Sequence, residues 1–156
     1  MTPRFGEPPH PARPYRRRPG AYAILWRDGR LLLTHQQAPV PEFQLPGGGI
    51  DPGEHPLAAL HREVAEETGW TIGGARFLWA YRRFCFMPDY DMHAEKRCQI
   101  WVARPILRLS DPTEPGHRAH WMTPAEAMAH LVDPGSRAAL TRWMRLAGVS
   151  GRRPGG

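Results

Sequence analysis

Three glutamates that could share one ligand stand close together in the chain: Glu63, Glu66 and Glu67. If this segment is helical, positions three and four residues apart lie on one face, so the carboxylates point roughly the same way. Like charges grouped in this way cost stability unless a positive charge lies between them. Oxygen-only ligands suit a hard cation such as Mg²⁺, Mn²⁺ or Ca²⁺ and disfavour zinc. The spacing therefore indicates a candidate metal site.

The glutamates belong to a predicted amphipathic helix that runs from His55 to Thr68. Apolar side chains recur at i, i+3 and i+7 from Leu57, which is the spacing of a buried stripe. Pro56 suits the first helical turn and Gly69 suits the helix end. At about 100° per residue, the carboxylates fall beside the stripe and not opposite it. We therefore expect them at a partly shielded rim.

A glycine-rich loop, Gly47–Gly49, precedes this helix and follows Pro46. A helix rich in glutamate and arginine is by itself typical of a solvated face stabilised by ion pairs. Consecutive glycines, however, allow the backbone to approach a ligand closely. The loop therefore favours the ligand-binding interpretation of the glutamates.

The stretch from Gly48 to Trp70 resembles the Nudix box, G-x5-E-x7-R-E-U-x-E-E-x-G-U, in which U is a bulky aliphatic residue. The matching residues are Gly48, Glu54, Arg62, Glu63, Val64, Glu66, Glu67 and Gly69. Trp70 departs from the pattern, since it is bulky and apolar but not aliphatic. The resemblance implies an α+β fold, an α-β-α sandwich in which a mixed β-sheet lies between helices.

The family resemblance also implies roles for individual residues. The implied metal ligands are the carboxylates of Glu63, Glu66 and Glu67 and the backbone carbonyl of Gly47. The implied ion is Mg²⁺ or Mn²⁺, and Arg62 and Glu54 are expected to orient the carboxylates. The resemblance does not fix the identity of the general base, which is either one of the box carboxylates or a residue on a later loop. Our candidate for the later residue is Glu114, ahead of His117 and His120.

The activity that the resemblance implies is that of a pyrophosphohydrolase. Metal ions neutralise the oxygens of a diphosphate that repel a nucleophile, and they acidify a bound water. We expect cleavage of a nucleoside diphosphate linked to another group, x, or release of pyrophosphate from a triphosphate. The alternatives are an RNA 5′-pyrophosphohydrolase and a non-catalytic nucleotide sensor.

The substrate stays open at this stage. Pro88 and Tyr90 lie beyond the positions of the ADP-ribose and dinucleoside polyphosphate markers that similar sequences carry, and triphosphate-cleaning enzymes have no strong marker. Tyr90 and Asp91 could grip a nucleobase and its sugar, or could belong to an exposed loop. They are the candidate substrate-binding residues.

Charge and composition divide the 156 residues into one domain and two tails. Residues 1–20 hold five arginines and six prolines, so we expect a basic tail without regular structure. The expected Nudix domain is 21–150, followed by a tail at 151–156. The net charge of +6 arises in the tails, because residues 21–150 carry equal numbers of basic and acidic side chains. This balance argues against a nucleic-acid partner for the domain and favours a small nucleotide.

The sequence shows neither an apolar run long enough to span a membrane nor a signal peptide. Cys85 and Cys98 fit neither a disulfide framework nor a zinc motif, so we expect buried thiols in a cytoplasmic protein. An exposed edge strand could pair two copies, which leaves a homodimer open. The remaining predicted elements are strands at 21–26, 31–34, 42–45, 75–86 and 97–107, helices at 125–131 and 134–146, and loops at 87–95 and 113–120.

Overall fold

The structure, a computed structural model, describes residues 1–151. Its strands are β1 Arg4–Phe5, β2 Arg16–Arg27, β3 Arg30–Gln36, β4 Glu42–Gln44, β5 Gly47–Gly49, β6 Trp70–Met87, β7 Met92–Arg108 and β8 His117–Met122. Its helices are α1 Pro56–Thr68, α2 Pro124–His130 and α3 Pro134–Ala147. A 3₁₀ turn, Pro88–Tyr90, joins the two longest strands.

The strands form one mixed, eight-stranded sheet with the order β1-β6-β7-β2-β3-β4. β5 pairs with β2, and β8 pairs with β3. β2 lies at the centre of the sheet, because Ala21 pairs with β7 in parallel and with β5 in antiparallel orientation. This arrangement holds the glycine-rich β5 against the middle of the sheet.

The sheet separates two buried clusters because successive side chains of a strand point to opposite faces. Ala23 and Leu25 of β2 pack towards Leu60 of α1. Ile24, between them, packs towards Leu140 of α3. The expected mixed sheet between helices is therefore confirmed, with α1 on one face and α2 and α3 on the other.

Both ends of α1 lie within a residue of the expected positions, and the structure adds a side-chain cap at the start. The His55 ring accepts a hydrogen bond from the Leu57 N–H at 3.1 Å and caps the first turn, in which Pro56 also lies. Gly69 ends the helix at a φ of 78°, and a Cβ there would lie 1.9 Å from the Ser110 carbonyl oxygen. Glycine is required at this position by both the φ angle and the close approach.

The N-terminal segment differs from the expected tail. β1 pairs with β6 in parallel orientation, and β2 begins at Arg16 and not at residue 21. The Phe5 ring lies 5.7 Å from that of Tyr81, and the Tyr15 ring lies 4.9 Å from that of Phe84. Strand pairing and aromatic packing offset the entropy lost on ordering this proline-rich segment.

Two segments that we expected to be loops are partly strands. β7 begins at Met92, within the expected loop 87–95, because its first residues pair with the end of β6. β8 begins at His117, within the expected loop 113–120, because it pairs along β3. The expected tail at 151–156 lies outside the described residues, apart from Gly151. Within residues 1–151, no helix combines the length and the apolar character that a membrane span requires.

Candidate active site

The glycine strand β5 lies directly against α1. A Cβ on Gly48 would lie 2.5 Å from the carboxyl carbon of Glu63, so that a side chain there would displace the carboxylate. Gly47 has a φ of 146°, and a Cβ on it would lie 2.2 Å from the Ala21 carbonyl oxygen. The glycines therefore allow the helix carboxylates to pack onto the loop backbone.

Glu67 is the most deeply buried of the three glutamates, with 4% of its surface exposed. Its Oε1 accepts a hydrogen bond from the Gly47 N–H at 3.4 Å, and its Oε2 lies 3.5 Å from Nδ1 of His117. Burial, followed by the charge of Glu63, raises the pKa of Glu67 well above its usual range. No arginine or lysine nitrogen among residues 1–151 lies within 4.0 Å of this carboxylate.

Arg62 connects the other carboxylates of the helix. It donates two hydrogen bonds of 2.9 Å to Glu54, one of 2.9 Å to Glu63 and one of 3.2 Å to the Gly49 carbonyl oxygen. The hydrogen bonds from Arg62 lower the pKa of Glu54 to about 2. Burial raises the pKa of Glu63, although Arg62 opposes the shift. Glu66 lies farther away, with 3.6 Å between its Oε2 and Arg62.

Glu114 approaches the cluster from the segment after β7. Its backbone N–H donates to the Glu66 carbonyl oxygen at 2.9 Å and so satisfies an open carbonyl near the end of α1. Its charge contributes to the raised pKa values of Glu63 and Glu67. The fold therefore brings Glu114 into electrostatic contact with the box carboxylates.

The two histidines that follow have different surroundings. His117 lies beside Glu67, and its Nδ1 is 3.0 Å from the Thr34 hydroxyl. Burial lowers the pKa of His117, although the charge of Glu114 opposes the shift. His120 instead contacts the rings of Phe43 and His35, with centroids 5.1 and 6.2 Å away. The structure brings His117 to the cluster but not His120.

A cavity of about 200 Å³ extends from Gly47 and Glu67 towards β6, β7 and the start of α3. A second cavity of about 260 Å³ continues beyond it to Tyr90. The two cavities share Gln36, Glu42, Gln44, Arg83 and Lys96. Tyr90 is 58% exposed, and the Arg18 guanidinium lies over its ring, 4.7 Å from the ring centroid. Asp91 lines neither cavity and ends the 3₁₀ turn.

We call the group formed by Gly47, Glu63, Glu66 and Glu67 the acidic wall; Gly47 and Glu67 line the first cavity, and Glu63 and Glu66 lie beside them on α1. We call the opposite side, formed by Tyr81, Arg83, Lys96 and Asp133, the far wall. The sequence interpretation missed all four far-wall residues. Polar residues alternating along the aromatic strand β6 were the available signal, but only the fold shows that they face a cavity.

A hydrogen-bond network organises the far wall around Asp133. Its Oδ2 accepts from the Tyr81 hydroxyl and from the N–H and hydroxyl of Ser136, the latter two at 3.1 and 2.9 Å. Its Oδ1 accepts from Arg83 at 3.1 Å. Burial alone would raise the pKa of Asp133, but Tyr81 and Arg83 outweigh burial and the pKa is lowered. Asp133 is therefore a fixed anion that holds Tyr81 and Arg83 in place.

The acidic wall fits a hard divalent cation by its donor chemistry. Among residues 1–151, no three histidine, cysteine, aspartate or glutamate side chains already converge as a metal site. The available donors are nevertheless all oxygens, and the buried charge of Glu67 has no arginine or lysine partner within 4.0 Å in that range. A buried carboxylate without such a partner is costly, and a bound cation removes that cost.

Comparison with known proteins finds a family match over most of the chain. The NUDIX domain family matches residues 16–144. The solved structure of a NUDIX hydrolase from Nitrosomonas europaea shares the fold, with a TM-score of 0.69, 20% identity, and coverage of 85% of this chain and 90% of that chain.

Two curated relatives match parts of the chain. A CMP-5′-(N-acetyl-N-hydroxy-3-aminopropyl)phosphonate hydrolase of Streptomyces rubellomurinus is 31% identical over 76% of this chain and 58% of its own length. An RNA pyrophosphohydrolase of Caulobacter vibrioides is 47% identical over 35% of this chain and 33% of its own length. The chain thus spans well under two thirds of the length of the curated relatives it matches.

Proposed function

The chain belongs to the Nudix family, and from that premise we propose that it hydrolyses the pyrophosphate bond of a nucleoside diphosphate linked to another group, x. The observation that carries the proposal is the buried Glu67 carboxylate, held against the Gly47 backbone without an arginine or lysine partner within 4.0 Å in residues 1–151. The products are a nucleoside monophosphate and phosphorylated x.

We assign the binding of Mg²⁺ or Mn²⁺ to the acidic wall, through the three carboxylates and the Gly47 carbonyl. The ion supplies neutralisation of the diphosphate charge and acidification of a water. Arg62 and Glu54 act as positioning residues, because their paired hydrogen bonds fix the guanidinium that holds Glu63. The cavity beyond Glu67 receives the nucleotide, and Tyr90 at its far end offers an aromatic face to a base.

Glu114 is our candidate for the residue that accepts the proton of the attacking water. Its backbone is fixed by the hydrogen bond to Glu66, and its charge acts on Glu63 and Glu67. It makes no ion pair with Arg62, whose carboxylate partners within 4.0 Å are Asp51, Glu54, Glu63 and Glu66 in the part of the chain described. Its carboxylate is therefore free to act on water near the acidic wall.

The proposal is tested by a panel of nucleotides incubated with Mg²⁺ or Mn²⁺, with detection of released phosphate after phosphatase treatment. The panel holds ADP-ribose, nucleotide sugars, dinucleoside polyphosphates and nucleoside triphosphates. We expect release of a monophosphate from at least one x-linked diphosphate, abolished by a chelator. Turnover of none of these compounds, or turnover unaffected by the chelator, would overturn the proposal.

A second candidate, hydrolysis at the triphosphate end of RNA, is favoured by two observations. Several relatives carry that name, and Arg16 is exposed at the start of β2, two residues before Arg18, whose guanidinium lies over the Tyr90 ring. Truncation after residue 20 would remove part of a paired strand, so charge removal is the cleaner test. If RNA is the substrate, Arg13→Gln with Arg16→Gln lowers the RNA activity and its salt dependence and spares small nucleotides.

A non-catalytic sensor is the third candidate, and Glu67→Gln separates it from an enzyme. A sensor would bind nucleotide about as tightly in the variant and would show no turnover in either protein. An enzyme would lose turnover on substitution. Nucleotide binding measured beside phosphate release decides between the two.

A further inference from the structure

Arg83 and Lys96 stand at the junction of the two cavities. They are directly opposed on β6 and β7, so their side chains leave the sheet on the same face, with Cβ atoms about 5 Å apart. Like charges in directly opposed positions destabilise a strand pair. The arrangement therefore needs negative charge nearby.

The protein supplies that charge to Arg83 but not to Lys96. Arg83 pairs with Asp133 at 3.1 Å. No carboxylate within residues 1–151 lies within 4.0 Å of the Lys96 ammonium, and Glu42, which lines the same junction, accepts hydrogen bonds from Gln36 and Gln44. On the opposite face of the sheet, Arg17, Arg82 and Arg97 are grouped around Glu95. Lys96 is thus a cation directed at a cavity without an ion-pair partner in the described chain.

The position of Lys96 separates it from the acidic wall. Gly47 lies opposite Tyr22 of β2, and Tyr22 lies opposite Ile100 of β7. Lys96 is four residues from Ile100, or about 13 Å along the strand at about 3.3 Å per residue. This backbone spacing exceeds both the length of a lysine side chain and the separation of two linked phosphates, so we place an anion at Lys96 apart from the scissile diphosphate.

We propose that Lys96, assisted by Arg83, binds a second phosphate group of the substrate, one that is separated from the scissile diphosphate by a sugar. The inference rests on the proposed function for the position of the diphosphate. A lysine ammonium suits this role as a compact point charge with three donors. The shared chemistry is a phosphate ester on the nucleoside sugar, which a small bisphosphorylated nucleotide or the 5′ end of an RNA chain could supply.

Kinetics with matched substrates test the inference. The probes are a nucleoside 5′-triphosphate, its 3′-monophosphate derivative and a 5′-triphosphorylated dinucleotide. In Lys96→Gln we expect KM for the 3′-monophosphate derivative and for the dinucleotide to rise roughly tenfold or more, as for loss of one charge-assisted hydrogen bond. We expect kcat for all three substrates, and KM for the parent triphosphate, to be unaffected. Lys96→Arg should retain most of the preference for substrates with the additional phosphate group, because arginine keeps the positive charge. Arg104→Gln, an exposed charge loss on the same strand, is the control.

The outcomes distinguish the two phosphate sources. A preference for the 3′-monophosphate assigns the site to a small nucleotide, and a preference for the dinucleotide assigns it to RNA; either supports the site. An equal rise in KM for all three substrates in Lys96→Gln would overturn the proposed site. The same change in KM in Arg104→Gln as in Lys96→Gln would also overturn it.

A second measurement needs no turnover and stays decisive if the proposed activity fails. Lys96 is the single lysine of the chain, so pyridoxal 5′-phosphate with borohydride can label only Lys96 and the terminal amine. We expect adenosine 3′,5′-bisphosphate to protect Lys96 from labelling at least about tenfold better than adenosine 5′-monophosphate. Peptide mass analysis reads the site, with the terminal amine as internal control. Equal protection by both nucleotides, or protection by neither, would overturn the inference.

Discussion

The far wall and two residues of the acidic wall, Gly47 and Glu67, face the same cavity, but the chain builds the two walls in different ways. The acidic wall comes from one continuous stretch between Leu45 and Trp70, so that residue spacing alone displays its chemistry. The far wall comes from β6, β7 and the start of α3, and Tyr81 meets Asp133 across 52 positions of sequence. A site can therefore be recognised from the sequence where one helix and the loop before it carry its residues.

The two walls also differ in how their charges are balanced. On the acidic wall, Glu67 has no arginine or lysine within 4.0 Å in residues 1–151. On the far wall, Lys96 has no carboxylate within that distance in the same range. A metal-bound diphosphate with a second phosphate ester would complement both. Substitutions on the acidic wall should therefore change kcat, and substitutions on the far wall should change KM.

The largest expected effect is that of Glu67→Gln on turnover. Removing the charge keeps the side-chain shape and the acceptor for the Gly47 N–H but weakens cation binding. We expect kcat to fall by more than roughly a hundredfold, since loss of residues that merely support ligands costs 10–100-fold. Steady-state kinetics with saturating Mg²⁺ measure the change, and Glu7→Gln, an exposed residue, is the matched control. A variant that keeps wild-type kcat would remove Glu67 from the site.

A smaller loss is expected for Arg62→Lys. Lysine keeps the positive charge but cannot make the two parallel hydrogen bonds to Glu54 together with that to Glu63. We expect kcat to fall roughly 10–100-fold, with KM changed much less. Arg104→Lys makes the same substitution at an exposed position, and we expect it to leave kcat and KM unchanged. An unchanged kcat in Arg62→Lys would show that charge alone suffices at this position.

A still smaller effect is expected on the far wall for Tyr81→Phe. The change removes the hydroxyl that donates to Asp133, while Ser136 and Arg83 still hold that carboxylate. We expect a few-fold rise in KM and a loss of about 1 kcal/mol in the free energy of unfolding, the usual worth of one hydrogen bond. Tyr15→Phe, at a ring that lines neither cavity, controls for loss of a hydroxyl. A selective fall in kcat would break the proposed division between the walls.

The smallest expected effect concerns stability against pH without divalent metal. Because the pKa of Glu67 is raised in the folded protein, the unfolded chain releases this proton at lower pH. The contribution of Glu67 to the free energy of unfolding should therefore fall as pH rises above about 4.5, and the fall is complete above the folded pKa. Glu67→Gln lacks this titrating carboxyl group, so its free energy of unfolding should rise relative to that of the wild type from pH 5 to pH 8.

Urea unfolding of both proteins at pH 5 and pH 8, in the presence of a chelator, measures this difference. Glu54 has a lowered pKa and contributes stability above about pH 4.5 that is lost as pH falls towards 2, but both proteins share it. The difference between variant and wild type therefore isolates Glu67. A constant difference across this pH range would mean that burial does not disfavour its ionised form.

The sequence predicted α1 to within a residue because its caps are local. Pro56 at the first turn and Gly69 at the end were the signals in the sequence, and they act over a few positions, as does the His55 cap that the structure adds. The order of residues 1–20 was not predictable in this way, since Phe5 is ordered by contact with Tyr81, far along the chain. Prolines and arginines indicate disorder only where no distant aromatic surface holds the segment.

The far wall was hidden for the same physical reason. Arg83 and Lys96 meet only because β6 and β7 pair in one register. A shift of either strand by one residue would turn that strand's side chain to the other face. The sequence predicted both strands but placed the start of β7 at Arg97, one residue beyond Lys96. Pairing register, and not propensity, therefore determined which residues face the cavity.

The central claim is that the buried charge of Glu67 is balanced by a divalent cation. Calorimetric titration of Mn²⁺ into the wild type and Glu67→Gln, at constant ionic strength and neutral pH, tests it most directly. We predict saturable binding to the wild type and affinity at least about tenfold weaker in the variant. Equal Mn²⁺ affinity in the two proteins, or no saturable binding to the wild type, would contradict the account.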